Sequence, residues 1–202
     1  MTRLSGSLRL LHPQLAEIVF QFEDAQARLH KLEARTPDDR WGARSRPDRW
    51  SIGECIAHLN LTSKAYIPLL REAFESDNRV HKAPKRYHQD PMGWLTSALV
   101  GEPRGLMRFI RVKTQPRFVP AAAASLDREM VVAAFNTYQH ELVMLTHLAE
   151  QRELEKLRIV SPFNSRVSYN AYSCLVMLPR HQHRHIAQAE RVWQEEAETT
   201  PT

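Results

Sequence analysis

Three of the chain's ten histidines fall within five residues, His181-Gln182-His183-Arg184-His185. On a helix, His181 and His185 stand one above the other on a single face, about 6 Å apart along the axis. His183 is rotated about 200° from His181 and points away. The face of His181 and His185 is also that of Cys174 and Leu178, so it is expected to look into the core. Neutral imidazole nitrogen binds divalent ions well, and a bundle core can add ligands from facing helices. Two inward histidines at i and i+4 are therefore a metal-ligand arrangement. Alone, the spacing fits equally a hydrogen-bonded core histidine with a second at the rim.

A third ligand would have to come from elsewhere in the chain, and His58 is the candidate. It lies at the border of another apolar stripe, and helical phase leaves it between a structural role and a ligand role. Glu54 precedes His58 by one turn, and Gln188 follows His185 by less than one. Each could support a metal ligand from behind, but Glu54 has a simpler reading as a helix cap and Gln188 reads equally as a surface amide. Cys55 and Cys174 read as core thiols. His140 and His147 fall off their helix's stripe and read as solvated. Tyr66, Tyr138 and Tyr172 read as core, and Trp41, Trp50, Trp94 and Trp193 as packing or the wall of a pocket mouth.

The elements that must position these residues are helical. After Pro13, Leu15, Ile18, Phe22, Ala25, Leu29 and Leu32 recur at three- and four-residue steps until Thr36-Pro37. Ser51-Ile52-Gly53-Glu54 is a capping box that opens a second helix, with Trp50 and Cys55 placed for a hydrophobic staple and Pro68 in its interior. A third helix is predicted from Ser125 or Asp127 through Phe135 and Leu142, and a fourth from about Ser168 through Ala189 and Val192, with Pro179 just before the histidines. Residues 76–125 form a long connection with one short helix after Asp90-Pro91. Fifty residues is too long for plain loop, so this connection is expected to be packed down or functional. Residues 37–50 and 151–167 read as linkers. No stretch alternates with period two for long. Four amphipathic helices with long connections predict an all-α four-helix bundle, one domain over 1–202 with its core at about 13–195.

Two segments resemble the DinB-like family of metal-binding four-helix bundles. Trp50 to Leu59 matches that family's W-S-x-x-E-x-x-x-H-L, and His181 to Gln188 its H-x-x-x-H-x-x-Q. The segment Lys113 to Pro120 is similar to members of the group as well. The resemblance implies an up-down-down-up bundle, often a homodimer, with zinc, nickel or another divalent ion between the second and fourth helices. It implies His58, His181 and His185 as the ligands. Its characterised members include S-transferases using a low-molecular-weight thiol such as bacillithiol, mycothiol or glutathione, and a thiol-dependent isomerase.

Composition narrows the function classes. The chain is 202 residues, 43% hydrophobic and 25% charged, which is that of a globular protein. Six glycines disfavour Gly-rich phosphate-binding folds and turn-rich sandwiches. Two cysteines far apart make no disulfide framework and read as reduced thiols of a cytoplasmic chain. No run reads as a signal peptide or membrane span. The net charge of +5 is concentrated between Arg79 and Arg117, where nine Lys/Arg face two acids. Folded over one end of the bundle, that segment would attract an anionic substrate through Arg104, Arg108 and Arg111. It carries no nucleic-acid-binding signature. Trp193 and Leu69 read as spare apolar surface for a homodimer. The expected function is a divalent-metal-dependent S-transferase or hydrolase acting on a small molecule. The alternative is a non-catalytic protein of the stress response that binds metal or an anionic ligand.

Overall fold

Helix starts follow capping chemistry. The computed structural model describes residues 11–77, 79, 81–101, 114–122 and 125–199. Helix α1 (Pro13–Arg35) has Pro13 in its first turn, and the His12 ring accepts from the Gln14 N–H at 3.2 Å. A short α2 (Asp38–Trp41) follows. Helix α3 (Ile52–Ser76) opens with the expected capping box: Ser51 Oγ accepts from the Glu54 N–H at 3.2 Å, and the Glu54 carboxylate accepts from the Ser51 N–H at 2.8 Å. Asp90 caps α4 (Pro91–Val100), and Asp127 caps α5 (Arg128–Leu148). The last helix, α6 (Ala171–Thr199), runs through Pro179.

One boundary and both short linkers differ from expectation: α2 lies within 37–50, and a strand within 151–167. Residues 168–170 are not helix. They form strand β2 (Ser168–Asn170), antiparallel to β1 (Arg158–Val160) with Ile159 opposite Tyr169. The α6 cap is Asn170, whose side-chain oxygen accepts from the Ser173 N–H at 2.8 Å. Three-residue strands are too short to display a period of two, so nothing in the sequence marked them.

The bundle's polarity follows from which ends share a core. One apolar cluster joins Leu15, Ile18 and Phe22 of α1, Tyr66, Leu70 and Phe74 of α3, Leu142 and Leu145 of α5, and Cys174, Leu175 and Leu178 of α6. A second joins Leu29 and Leu32 of α1, Ile52, Ile56 and Leu59 of α3, Val131 and Phe135 of α5, and Ile186 and Val192 of α6. Helices α1 and α6 therefore run one way, and α3 and α5 the other. This is the up-down-down-up order. Both α1 and α3 pack against α5 and against α6, so α1 and α3 lie on a diagonal.

That order explains the long connection. Helix α3 ends beside the first cluster, whereas the parallel α5 begins beside the second, so residues 77–127 must travel the length of the bundle. Their described parts are packed down. Helix α4 lies on α6, where the Arg184 side chain donates to the carbonyls of Leu99 (2.7 Å) and Gly101 (3.3 Å), and a 3-10 turn, Pro116–Phe118, rests against α3. Arg104, Arg108 and Arg111 lie outside the described residues. Among the described residues, no helix is long and apolar enough to cross a membrane. Trp193 and Leu69, read as spare apolar surface, are each partly buried. Trp193 packs on the second cluster with Arg35 stacked 4.2 Å from its ring centroid, and Leu69 packs on the first.

Candidate metal centre

The two apolar clusters leave a polar waist between Leu178 and Ile186 on α6, and three imidazoles meet there. His58 comes from α3, and His181 and His185 come from α6. Their ring centroids are 4.6–5.2 Å apart, and one nitrogen of each lies within 4.8 Å of the others. The site is largely buried. His58 is 2% exposed, His181 9%, and His185 is partly buried under Trp50, whose ring centroid lies 4.9 Å from His58 and 5.9 Å from His185. The helical phase read for the histidine run is the one observed. His183 faces α1, where its Nε2–H donates to the Gln21 carbonyl at 3.1 Å and its Nδ1 accepts from Arg28 at 2.9 Å.

Outer contacts set the inward nitrogen of two of the three rings. His58 Nδ1–H donates to the Phe118 carbonyl at 2.7 Å, and His185 Nδ1–H donates to Gln188 Oε1 at 3.1 Å. Each ring is thereby left with an unprotonated Nε2, the form that binds a metal. The inward Nε2 atoms of His58 and His181 are 3.4 Å apart. Two imidazoles on a tetrahedral zinc at 2.0–2.1 Å would place their nitrogens about 3.3 Å apart, so this spacing fits a shared ion. His181 Nδ1 is buried without a hydrogen-bond partner among the described residues.

Electrostatics keep the rings neutral. Burial holds the His58 pKa below the ordinary imidazole value, against the opposing bond to Phe118. Burial and the repulsion of neighbouring imidazoles hold His181 and His185 well below it. The site is therefore ready for a cation without having to shed protons at neutral pH.

Glu54 is not poised as a base. It is 1% exposed, and both oxygens are engaged: Arg44 Nε donates to one at 2.8 Å, the Ser51 N–H shares it, and the Arg44 fork also reaches the other. Burial opposes its ionisation, but these donors outweigh burial and hold its pKa below the usual carboxylate value. Cys55 and Cys174 are fully buried, and burial raises both thiols far above their ordinary pKa. His140 and His147 are exposed. Tyr66 and Tyr172 are buried and Tyr138 partly so, whereas Trp94 is 60% exposed. Sequence reasoning placed Phe118 in the segment similar to the family but gave it no role at the site, because its contribution is a main-chain carbonyl, which any residue type could supply.

With the three imidazoles joined on two helices of this topology, the chain's kinship can be stated. The DinB superfamily profile matches residues 21–189. The chain belongs to the DinB superfamily. A similar solved structure is YfiT from Bacillus subtilis, described as a probable metal-dependent hydrolase with an unusual four-helix bundle topology. The likeness has a TM-score of 0.60 at 14% identity, over 98% of this chain and 93% of that one. At that identity it speaks for the fold. No curated protein sequence matches the chain.

Proposed function

We propose that this DinB-superfamily chain is a divalent-metal-dependent enzyme that transfers a low-molecular-weight thiol to a small electrophile. The observation that carries the reading is the largely buried cluster of three neutral imidazoles from α3 and α6. His58, His181 and His185 would hold zinc or nickel through their inward nitrogens, leaving a coordination position open. The chemistry such an ion supplies is acidification of a thiol or water in that position, which makes it a nucleophile near neutral pH. The Phe118 carbonyl and Gln188 orient two of the imidazoles, and Trp50 shields them from solvent. Glu54 anchors the Arg44 linker to the start of α3 and is too well paired to move protons.

That engagement of Glu54 favours thiol transfer. Among the described residues no free carboxylate stands at the site to assist water, and a thiol needs less help to ionise. The second reading is hydrolysis, favoured by the description of YfiT as a probable metal-dependent hydrolase. We also carry over the homodimer and the cytoplasmic location, the first from the family resemblance and the second from the two free cysteines. The test is a panel of electrophiles with bacillithiol, mycothiol and glutathione, run beside ester and amide substrates, on chelator-stripped and metal-restored protein. Thiol-dependent turnover that returns with metal supports the proposal. Thiol-independent hydrolysis selects the second reading. Stoichiometric metal with no turnover in either arm makes the chain a binding protein and overturns both.

A further inference from the structure

The geometry points to Phe118 as a positioning residue of the metal centre: its main-chain carbonyl selects the His58 tautomer, and the stack of its ring on Phe163 holds that carbonyl in place. This rests on the metal-site reading above and extends it to the crossing connection.

The contact joins positions sixty residues apart. Pro116 opens a single 3-10 turn in which Phe118 N–H donates to the Gln115 carbonyl at 2.9 Å and Val119 N–H to the Pro116 carbonyl at 3.1 Å. The last carbonyls of such a turn have no partner within it. That of Phe118 is turned to His58 Nδ1, and a carbonyl can only accept, so the proton must sit on Nδ1 and the lone pair on Nε2. Without this acceptor, a buried neutral imidazole could carry its proton on Nε2, which would block the ligand position.

Phe118 is 4% exposed, and its ring stacks on Phe163 with centroids 3.9 Å apart and planes 26° from parallel. Phe163 belongs to the loop between β1 and β2, and its ring lies 6.1 Å from that of Tyr66 on α3. The Gln115 side-chain amide donates to the Phe163 carbonyl. The β1–β2 loop thus clamps the crossing connection, and the connection fixes the ligand. Phe163 itself is neither a metal ligand nor a hydrogen-bond partner of one.

The experiment uses the full chain with uniformly 15N-labelled histidine and Zn2+ as the probe. In the metal-free protein, long-range 1H–15N correlations should show His58 protonated on Nδ1 and bare on Nε2. Phe163→Ala should mix the two tautomers and weaken Zn2+ binding by roughly tenfold, as removal of outer-shell partners commonly does. Phe163→Tyr, which keeps the stacked ring, should restore both. Gln115→Ala loosens the same clamp from an exposed position and should move both readouts in the same direction, which guards against a Phe163→Ala variant that merely folds poorly. A wild-type His58 protonated on Nε2 overturns the proposal, as does an unchanged tautomer and Zn2+ affinity in both variants. A correct Nδ1–H tautomer in a protein that takes up no Zn2+ overturns the metal-site reading and this inference with it. The wrong tautomer in a protein that binds Zn2+ overturns this inference alone.

Discussion

Zn2+ should stabilise this chain measurably, through three named side chains and not a fourth. An ion that binds only the folded state adds RT ln(1 + [L]/Kd), about 2.7 kcal/mol at a hundredfold excess over Kd. For 202 residues, an unfolding entropy of about 2.1 cal/mol/K per residue converts this to a rise in Tm of about 6 °C. Calorimetry on chelator-stripped protein, with and without Zn2+, reads that shift, and elemental analysis reads the stoichiometry. His58→Ala, His181→Ala and His185→Ala should each abolish both. His183→Ala should keep the metal and the shift, while lowering the baseline Tm through loss of its bonds to Gln21 and Arg28, each worth about 1 kcal/mol. The pH dependence has a definite sign. The imidazoles must be neutral to bind, and burial holds all three pKa values below the ordinary value of about 6.5. Affinity should therefore persist as pH falls through 6.5 and fail only below it. The metal-free protein should lose stability below that pH, because there the unfolded chain takes up protons that the folded sites refuse. Loss of metal in His183→Ala with full retention in His181→Ala would refute the site, and affinity lost at pH 6.5 itself would refute the role given to burial.

Other perturbations test the surroundings of the centre. Arg44→Ala strands a buried carboxylate, whereas Glu54→Gln leaves a 40% exposed guanidinium that can turn to water. By urea denaturation at pH 7, the first should cost about 2 kcal/mol, discounted for that exposure, and the second about 1 kcal/mol. Glu54 has a depressed folded pKa, so its contribution is present above the unfolded carboxylate value and disappears as pH falls through the folded one; the Arg44→Ala deficit should shrink in acid. Gln188→Ala should raise the Zn2+ Kd by roughly tenfold in a titration without changing the stoichiometry, because it frees the His185 tautomer. Gly93→Ala should destabilise by about 1–3 kcal/mol in the same urea assay, since its Cβ would lie 2.1 Å from the Ser173 side chain that holds α4 to α6.

Local order was legible in the sequence because it depends on neighbours a few residues apart. The i, i+4 phase that aims His181 and His185 inward and His183 away, the Ser51–Glu54 box, and the proline-led starts of α1 and α4 all follow from helix geometry and unpaired end groups. The apolar stripes likewise marked four bundle helices. A helix's phase, however, says which face is buried and not what faces it. His58 lay at the edge of its stripe, and only the antiparallel packing of α3 on α6 sets its Nε2 3.4 Å from that of His181, 123 residues away. The diagonal placement of α1 and α3 was equally out of reach, because an amphipathic stripe is compatible with several neighbour orders. The stacking of Arg35 on the partly buried Trp193 ring was likewise hidden, because it depends on how α1 packs on α6. The Phe118 carbonyl had no signature at all, since every residue has one. Tertiary structure decided which carbonyl meets the ligand, because a hydrogen bond across sixty residues depends on the path of the chain and not on the type of side chain.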